Sequence, residues 1–377
     1  MAENFSKTDK LRLGLRFCRA PFQVLAYVLR GVVLASARQL PLRPYVLCAV
    51  AKALQDIFDA HDIQYLCPPS KQVYASWVQQ KLARSKHSDA TGRLSHDTEP
   101  LEDGRSSILW IGDRNRAKKV VLFFHGGGYT TPLLNEYMEW NWRANITAGI
   151  ETETEVAVAI LEYSLAPGAR YPTQLCQAAS ALAHLLSSGF SPKNIILGGD
   201  SAGGNLVGQL LAHLIWPHPD AVRIKLTEPL AGVFLVSPWL AKSTNDRSFA
   251  ENGAIDMLSA SFVNLVSGEV LGTDTAQKTD DWSSYAFPLN MTRPWIDKLD
   301  TLTNKMYLSV GYHEVLRDQC IQFVEEVRRT NSGLELDFDL QEKMAHDFIL
   351  LECEEKRNGE CVEAMKSWVK TAITADL

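Results

Sequence analysis

A serine flanked by glycines is the strongest candidate for chemistry in this chain. Residues 198–204 read Gly-Gly-Asp-Ser-Ala-Gly-Gly, after an apolar run at 194–197 and before a helical pattern from Asn205. Small residues around a serine permit a sharp strand-to-helix turn that holds a nucleophilic hydroxyl out into a cleft. The alternative is a glycine-rich turn with an N-capping Ser or Asp. The strand before it and the helix after it favour a nucleophile at Ser201.

A serine nucleophile needs hydrogen-bond donors for the oxyanion that forms when it attacks an acyl group. His125 follows an apolar run and is itself followed by three glycines. Backbone N–H groups of Gly127 and Gly128, with that of Ala202, are predicted to form this oxyanion hole, where one donor is typically worth ~3 kcal/mol. A phosphate-binding loop is the weaker alternative, because no Gly-Lys-Ser/Thr follows the glycines.

The base must be one of nine histidines. His346 comes just after the last predicted strand, where the chain order nucleophile, acid, histidine places it. His213 and His218 lie on or just after the helix that follows Ser201, and they are expected to be exposed or structural. His125 is expected to shape its own loop, and His313 lies close to the candidate acid. We therefore predict His346 as the general base.

Two carboxylates four residues apart, Glu314 and Asp318, compete as the acid that orients this base. They follow the predicted strand at 305–310. If a helix begins near Val315, Glu314 lies at the strand end and faces the cleft, whereas Asp318 falls in the first helical turn. Glu314 is therefore the predicted acid, with Asp318 as the alternative.

These residues are separated by alternating strands and helices. Crossover helices between apolar strands predict an α/β protein with a mostly parallel central sheet flanked by helices. The predicted strands occupy residues 107–111, 119–124, 156–162, 194–197, 230–237, 305–310 and 334–341, with helices at 173–188 and after 205.

The interval at about 240–300 interrupts this alternation and is rich in aromatic residues. Because it falls between two sheet strands, we expect a helical cap or lid over their carboxyl ends, lining an apolar acyl pocket. The predicted organisation is an N-terminal helical or cap region at 1–100 and a catalytic domain at 101–377.

The N-terminal segment combines basic residues with an apolar stretch at 22–37. That stretch is shorter than the ~20 residues that span a bilayer, and Pro21 predicts a helix break or start within the segment. Three interpretations remain: a helix that caps the catalytic domain, an interfacial membrane helix and a signal anchor. We expect a cytoplasmic or peripherally membrane-associated protein, with membrane contact through residues 11–40. Endoplasmic reticulum anchoring is the alternative, and it would expose the glycosylation sequons at Asn145 and Asn290, but not the one at Asn4, to the lumen.

Charge and cysteine content exclude other classes of protein. The 38 basic and 44 acidic residues give a net charge of −6, so a nucleic-acid partner is not expected. Seven cysteines form no Cys-x-x-Cys pair, which suggests neither a zinc site nor a disulfide framework. We therefore expect no metal. The sequence leaves the oligomeric state open.

Six separated motifs occur in order between residues 105 and 350, and together they resemble a known family. The chain looks like an α/β-hydrolase of the hormone-sensitive-lipase family, and more closely like its fungal steryl acetyl hydrolase branch. The motifs are His-Gly-Gly-Gly-Tyr at 125–129, Glu-Tyr-Ser-Leu-Ala-Pro at 162–167, Tyr-Pro-Thr-Gln-Leu at 171–175, Gly-Asp-Ser-Ala-Gly-Gly-Asn-Leu at 199–206, Ser-Pro-Trp at 237–239 and Glu-Val-Leu-Arg-Asp at 314–318.

This resemblance implies the α/β-hydrolase fold and hydrolysis of carboxylic esters without a cofactor. The broader family usually has Asp-x-Leu where this chain has Glu314-Val-Leu, which shifts the acid to glutamate. The expected substrate is a small lipophilic ester, the acetyl or short-chain ester of a sterol or secondary metabolite. An acyltransferase that uses the same residues is a second hypothesis, and a non-catalytic small-molecule receptor on this fold is a third.

Overall fold

A computed structural model describes residues 5–84, 92–272, 281–353 and 358–375, without the side chains of residues 281–283. The predicted sequon at Asn4 lies outside these residues. Within these residues, eight strands are separated by helices or loops along the chain. The strands are β1 Thr98–Pro100, β2 Ser107–Ile111, β3 Lys119–Phe124, β4 Val156–Glu162, β5 Ile195–Asp200, β6 Gly232–Val236, β7 Lys305–Gly311 and β8 Glu335–Gln341.

These strands form one sheet in the order β1-β2-β4-β3-β5-β6-β7-β8. β1 and β2 pair antiparallel, as do β2 and β4, and every pair from β4 to β8 is parallel. The predicted fold class, a mostly parallel sheet flanked by helices, is therefore confirmed. The short strand β1 was not predicted, and it falls within the range predicted for the N-terminal region; the division at residue 100 stays a prediction.

Helices cover both faces of the sheet. They are α1 Lys7–Ala37, α2 Leu42–Ile57, α3 Ala60–Leu66, α4 Ser70–Arg84, α5 Asn135–Asn141, α6 Thr147–Glu151, α7 Thr173–Ser187, α8 Ser201–Ile215, α9 Arg247–Asn252, α10 Ala260–Leu271, α11 Arg317–Thr330, α12 Phe348–Glu352 and α13 Glu360–Thr374.

Alternate side chains of each central strand enter different hydrophobic cores. On β3, Leu122 and Phe124 pack with α7, α8 and α11, whereas Val121 and Phe123 pack with α5 and α13. Strands buried on both faces are apolar along their whole length, which is why the sequence shows continuous apolar runs rather than alternation. The parallel strands therefore present their carboxyl ends along one edge of the sheet, between two layers of helices.

The N-terminal helix differs from the sequence-based prediction. α1 runs unbroken for 31 residues through Pro21, so the predicted break there is wrong. Pro21 lies on the exposed side of the helix, where the missing N–H removes a hydrogen bond without leaving a polar group in a core. By length and composition α1 could cross a membrane, which is weak support for membrane association, since core helices and signal sequences pass the same test.

α1 packs against α2, and both lie outside the sheet. Only Leu13, Gly31 and Ala35 are buried in α1, which leaves a stripe of exposed apolar side chains along its outer face. These side chains, all more than half exposed, are Leu11, Leu15, Phe22, Leu25, Leu29 and Val33. The helix therefore contributes one narrow face to the folded chain and presents the other to its surroundings.

Candidate active site

Ser201 lies between the carboxyl end of β5 and the first turn of α8. Its backbone is left-handed, with φ of 48°, a strained conformation for a residue with a side chain. The turn requires small neighbours: a Cβ on Gly203 would lie 1.9 Å from the carbonyl oxygen of Phe124. The sequence-predicted elbow is therefore present, and the predicted strand extends through both preceding glycines.

The fold brings three of the predicted residues together. His346 Nε2 lies 2.9 Å from Ser201 Oγ, and His346 Nδ1 lies 3.6 Å from Glu314 Oε1. The second distance is longer than an ordinary hydrogen bond, as is common in sites without substrate. All three side chains are buried. In this order, hydroxyl, imidazole and carboxylate can move a proton from Oγ to Nε2 while the carboxylate stabilises the imidazolium.

Hydrogen bonds to the second carboxylate oxygen of Glu314 hold its side chain in place. Its Oε2 accepts hydrogen bonds from Ser237 Oγ at 2.6 Å and from the Gly311 N–H at 2.9 Å. Both partners lie at the ends of neighbouring strands, β6 and β7. The carboxylate therefore faces the imidazole because the sheet edge fixes it there.

Asp318, the alternative acid, is not beside the imidazole. It lies in the first turn of α11, where Oδ2 accepts from the Ser248 N–H at 2.8 Å and Oδ1 from Arg317 Nε at 2.8 Å. Of the two carboxylates, the structure places only Glu314 next to His346.

The predicted oxyanion donors come from two places beside Ser201. Gly127 and Gly128 have φ of 92° and 60°, which glycine adopts without strain, and both line the same cavity as Ser201 and His346. Ala202 is the second residue of α8, where backbone N–H groups at a helix start have no intrahelical acceptor. Three donors near one hydroxyl can stabilise negative charge on an acyl oxygen.

This cavity has a volume of about 460 Å³ and mostly apolar walls. The predicted lid contributes part of it, through Trp239, Met257, Leu258, Phe262, Val263 and Val266. A second wall, which sequence analysis did not assign to α2, is formed by Leu47, Val50, Ala51 and Leu54. The N-terminal region thus reaches the site through α2, with α1 packed outside it.

Three buried aspartates surround these residues, and sequence analysis assigned a role to none of them. Asp347 Oδ2 lies 3.0 Å from His346 Nε2, Asp200 Oδ1 accepts from the Gly126 N–H at 2.9 Å, and Asp256 Oδ1 accepts from the His346 N–H at 3.2 Å. Asp200 and Asp347 are each adjacent to a predicted site residue, so their proximity was available from the sequence. Asp256 lies in the lid and had no local signal.

These carboxylates change the protonation of the site. Burial alone would lower the pKa of His346, but the carboxylates of Asp347 and Glu314 outweigh it, so the pKa lies well above its usual value. Burial, with the charge of Asp347, raises the pKa of Asp200 well above its usual value. Burial also raises the pKa of Asp256, to about 6.

The other histidines considered lie elsewhere. His125 is buried, contacts the Gly126 carbonyl oxygen through Nδ1 at 2.8 Å and stacks on Tyr163, and burial lowers its pKa to about 4. His213 contacts the Val222 carbonyl oxygen through Nε2 at 2.9 Å and accepts from the His218 N–H through Nδ1. His313 lies 3.3 Å from an Arg38 nitrogen. His125 lies in its own loop as expected, and His213 and His218 are buried rather than exposed.

Comparison with known proteins agrees with the fold and with a hydrolase site. A family model described as alpha/beta hydrolase fold matches residues 121–350. An esterase of Acinetobacter venetianus is 28% identical over 235 residues, covering 62% of this chain and 68% of that protein. Arylacetamide deacetylase of Bos taurus is 30% identical over 179 residues, covering 46% of this chain and 42% of that protein.

Solved structures share the architecture. The crystal structure of an esterase/lipase from an uncultured bacterium has a TM-score of 0.59 at 19% identity, covering 88% of this chain and 99% of that one. At 19% identity, this structural similarity shows that the two chains share a fold.

Proposed function

Because the chain belongs to the alpha/beta hydrolase fold family, with 230 of its residues matched, we propose that it is a serine hydrolase acting on carboxylic esters. The observation that carries the proposal is the 2.9 Å contact between Ser201 Oγ and His346 Nε2 at the floor of an apolar cavity. The curated relatives, an esterase and a deacetylase among them, support ester hydrolysis as the reaction class.

In the proposed reaction Ser201 Oγ attacks the ester carbonyl while His346 Nε2 takes its proton. The N–H groups of Gly127, Gly128 and Ala202 stabilise the oxyanion, and Glu314 stabilises the imidazolium. The imidazolium then returns the proton to the alcohol oxygen as the C–O bond breaks. Water, deprotonated by His346, then attacks the acyl carbon. As the bond between that carbon and Ser201 Oγ breaks, the imidazolium returns the proton to Oγ and the acid is released.

The cavity supports a proposed substrate class. Its volume of about 460 Å³ and its apolar walls suit the short acyl ester of a lipophilic alcohol, with a sterol or secondary metabolite as the proposed alcohol. The motif resemblance to the fungal steryl acetyl hydrolase branch supports this substrate class. Within the described residues, the groups that face the cavity can perform the reaction without a metal or cofactor.

We expect the protein to hydrolyse p-nitrophenyl acetate and butyrate faster than long-chain esters, because a cavity closed by the lid and α2 limits acyl length. Turnover across an acyl-length series, before and after reaction with a serine-directed phosphonate, measures this. Absence of turnover for every ester, by folded protein, would contradict the proposal. Ester formation in place of acid release, when an alcohol is added at low concentration, would identify an acyltransferase.

We also propose that the outer face of α1 contacts a lipid surface. The exposed stripe defined above lies on a helix with six basic residues and one acidic residue, in a chain of net charge −6. Arg12 and Arg16 pair with Asp59 and Asp62, and the other four basic residues, Lys7, Lys10, Arg19 and Arg30, are exposed. Apolar side chains flanked by basic ones suit an anionic bilayer interface and oppose pairing with a second, equally basic copy.

Wild-type protein is expected to bind vesicles that contain phosphatidylserine. Replacing both Leu25 and Leu29 by serine should weaken that binding at least about tenfold, because two leucines that would be buried in the bilayer are lost. Flotation of vesicles with and without the anionic lipid measures this, with Val222→Ser, an exposed apolar position outside α1, as the matched control. Equal binding by all three proteins would contradict the proposal. Glycosylation of Asn290 in cells would instead indicate luminal anchoring; Asn145 is fully buried and cannot report it.

A further inference from the structure

Asp347 contacts the same imidazole nitrogen that Ser201 uses. His346 Nε2 lies 3.0 Å from Asp347 Oδ2 and 2.9 Å from Ser201 Oγ. In the proposed reaction only the Nδ1 side of the imidazole has an acid, Glu314. A second carboxylate at Nε2 therefore acts on the atom that takes and returns the proton.

Asp347 is held at this position by the surrounding structure. Its backbone is left-handed, with φ of 51°, and its side chain is buried and lines the cavity. Its N–H points to Ser237 Oγ at 3.4 Å, and that hydroxyl donates to Glu314 at 2.6 Å. A strained backbone at a buried carboxylate persists only where the surroundings enforce it.

Asp200 completes the arrangement from the other side. Asp347 Oδ1 and Asp200 Oδ2 are both buried, and neither accepts a hydrogen bond of ordinary geometry within the described residues. The Tyr137 hydroxyl acts on Asp200 and lowers its pKa, but burial and the charge of Asp347 outweigh this effect. The two carboxyl groups act on each other's pKa, and burial raises the pKa of Asp347 and raises that of Asp200 well above its usual value. One proton on Asp200 would satisfy both oxygens, since a carboxylic acid donates where a carboxylate can only accept. The strong rise in the pKa of Asp200 through burial agrees with this.

We propose that Asp200 and Asp347 share one proton and that the resulting carboxylate of Asp347 stabilises protonated His346 from its Nε2 side, thereby setting the acidic limit of activity. The inference rests on the proposed function for its reaction, though not for its protonation equilibrium. When Ser201 Oγ bonds to the acyl carbon, its proton moves to Nε2, and the N–H has Asp347 Oδ2 and the alcohol oxygen as acceptors. The proton then leaves with the alcohol, and Asp347 neither gains nor loses one.

Other ionisable groups face this pair. Glu314, in the loop after β7, and Asp256, in the lid, act on His346. Tyr137 acts on Asp200 and Asp347, and Cys320 on Asp347. Lys52 of α2 acts on Asp256. All of them remain when Asp347 alone is changed. A change in the pKa of His346 in that variant therefore reports the contribution of Asp347.

The contact between Asp347 and His346 determines the direction in which the acidic limb of the pH profile moves. The base acts only when neutral, so activity rises as pH increases through the pKa of His346. Removing the Asp347 charge lowers that pKa, and the acidic limb of kcat/KM moves to lower pH. If the limb moves by about one pH unit, activity at a given pH on the limb, relative to the plateau at high pH, rises about tenfold.

The experiment measures kcat/KM for p-nitrophenyl acetate against pH in wild type, Asp347→Asn, Asp200→Asn and Asp318→Asn. We expect a limb displaced to lower pH for Asp347→Asn alone. Asp200→Asn mimics the protonated acid and should keep the limb in place, and Asp318→Asn is the control for loss of a nearby charge. An unmoved or upward-shifted limb in Asp347→Asn, or a limb that moves equally in all three, overturns the proposal.

A second readout does not need activity. The pKa of the His346 ring is measured by ¹⁵N NMR, with its signal identified by its loss in His346→Gln. We expect a lower pKa in Asp347→Asn than in wild type, and an unchanged pKa would overturn the proposal even if the variants were inactive. If wild type hydrolyses no ester but the lower pKa is found by NMR, the proposed function fails, and with it the acidic limit of activity, whereas the effect of Asp347 on the protonation of His346 stands.

Discussion

Ser201→Ala is expected to lower kcat for ester hydrolysis by about five to six orders of magnitude, the loss typical of a missing serine nucleophile. The hydroxyl that lies 2.9 Å from His346 Nε2 is the only group of this residue that can attack an ester. Residual rate would come from the oxyanion donors and from binding. Initial rates on p-nitrophenyl acetate, with folding checked by circular dichroism, measure the effect.

Ser187→Ala is the matched control, because it removes a hydroxyl from an exposed helical position. It should leave both turnover and phosphonate labelling unchanged. If folded Ser201→Ala still turned over esters like wild type, Ser201 would not be the nucleophile, and the proposed function would fail with it.

Glu314→Gln is expected to lower kcat by about four orders of magnitude, because a neutral amide favours the wrong imidazole tautomer. Glutamine can still accept from Ser237 and Gly311, which hold the side chain at 2.6 and 2.9 Å, so the fold should persist. Steady-state kinetics at the pH optimum, with thermal unfolding alongside, separate loss of activity from loss of stability.

Asp318→Asn is the paired comparison, four residues further along. Its carboxylate caps the Ser248 N–H and pairs with Arg317, so the variant should keep its activity and lose up to about 1 kcal/mol of unfolding free energy. The reverse order of activities, in folded variants, would make Asp318 the acid.

The sequence by itself predicted the fold class and the position of the elbow. Apolar runs of strand length, separated by helical patterns, are local signals, and seven of the eight strands were predicted from them. The glycines around Ser201 are equally local, because backbone sterics within a few residues decide whether that turn can form. β1 was missed since a three-residue strand gives too short a pattern.

Pro21 shows where local signals misled. Proline disfavours a helix interior, yet α1 continues through it, because its contacts with α2 stabilise the helix on both sides. The cavity wall formed by α2 was equally invisible, since nothing in its sequence identifies the surface on which it packs.

Tertiary structure alone decided which groups surround the imidazole. Ser201 and His346 are 145 residues apart, and Asp256 reaches the His346 backbone from 90 residues away. The sequence offered two acids and favoured Glu314 without excluding Asp318, because both follow β7 within seven residues. The ends of β6 and β7 aim Glu314, and not Asp318, at the cleft. In the sequence, Asp200 and Asp347 each stand beside a predicted site residue. Whether the two aspartates come close together depends on how the loops after β5 and β8 pack. Local sterics set the conformation of each turn, whereas the distance between two turns is set by the sheet that holds them.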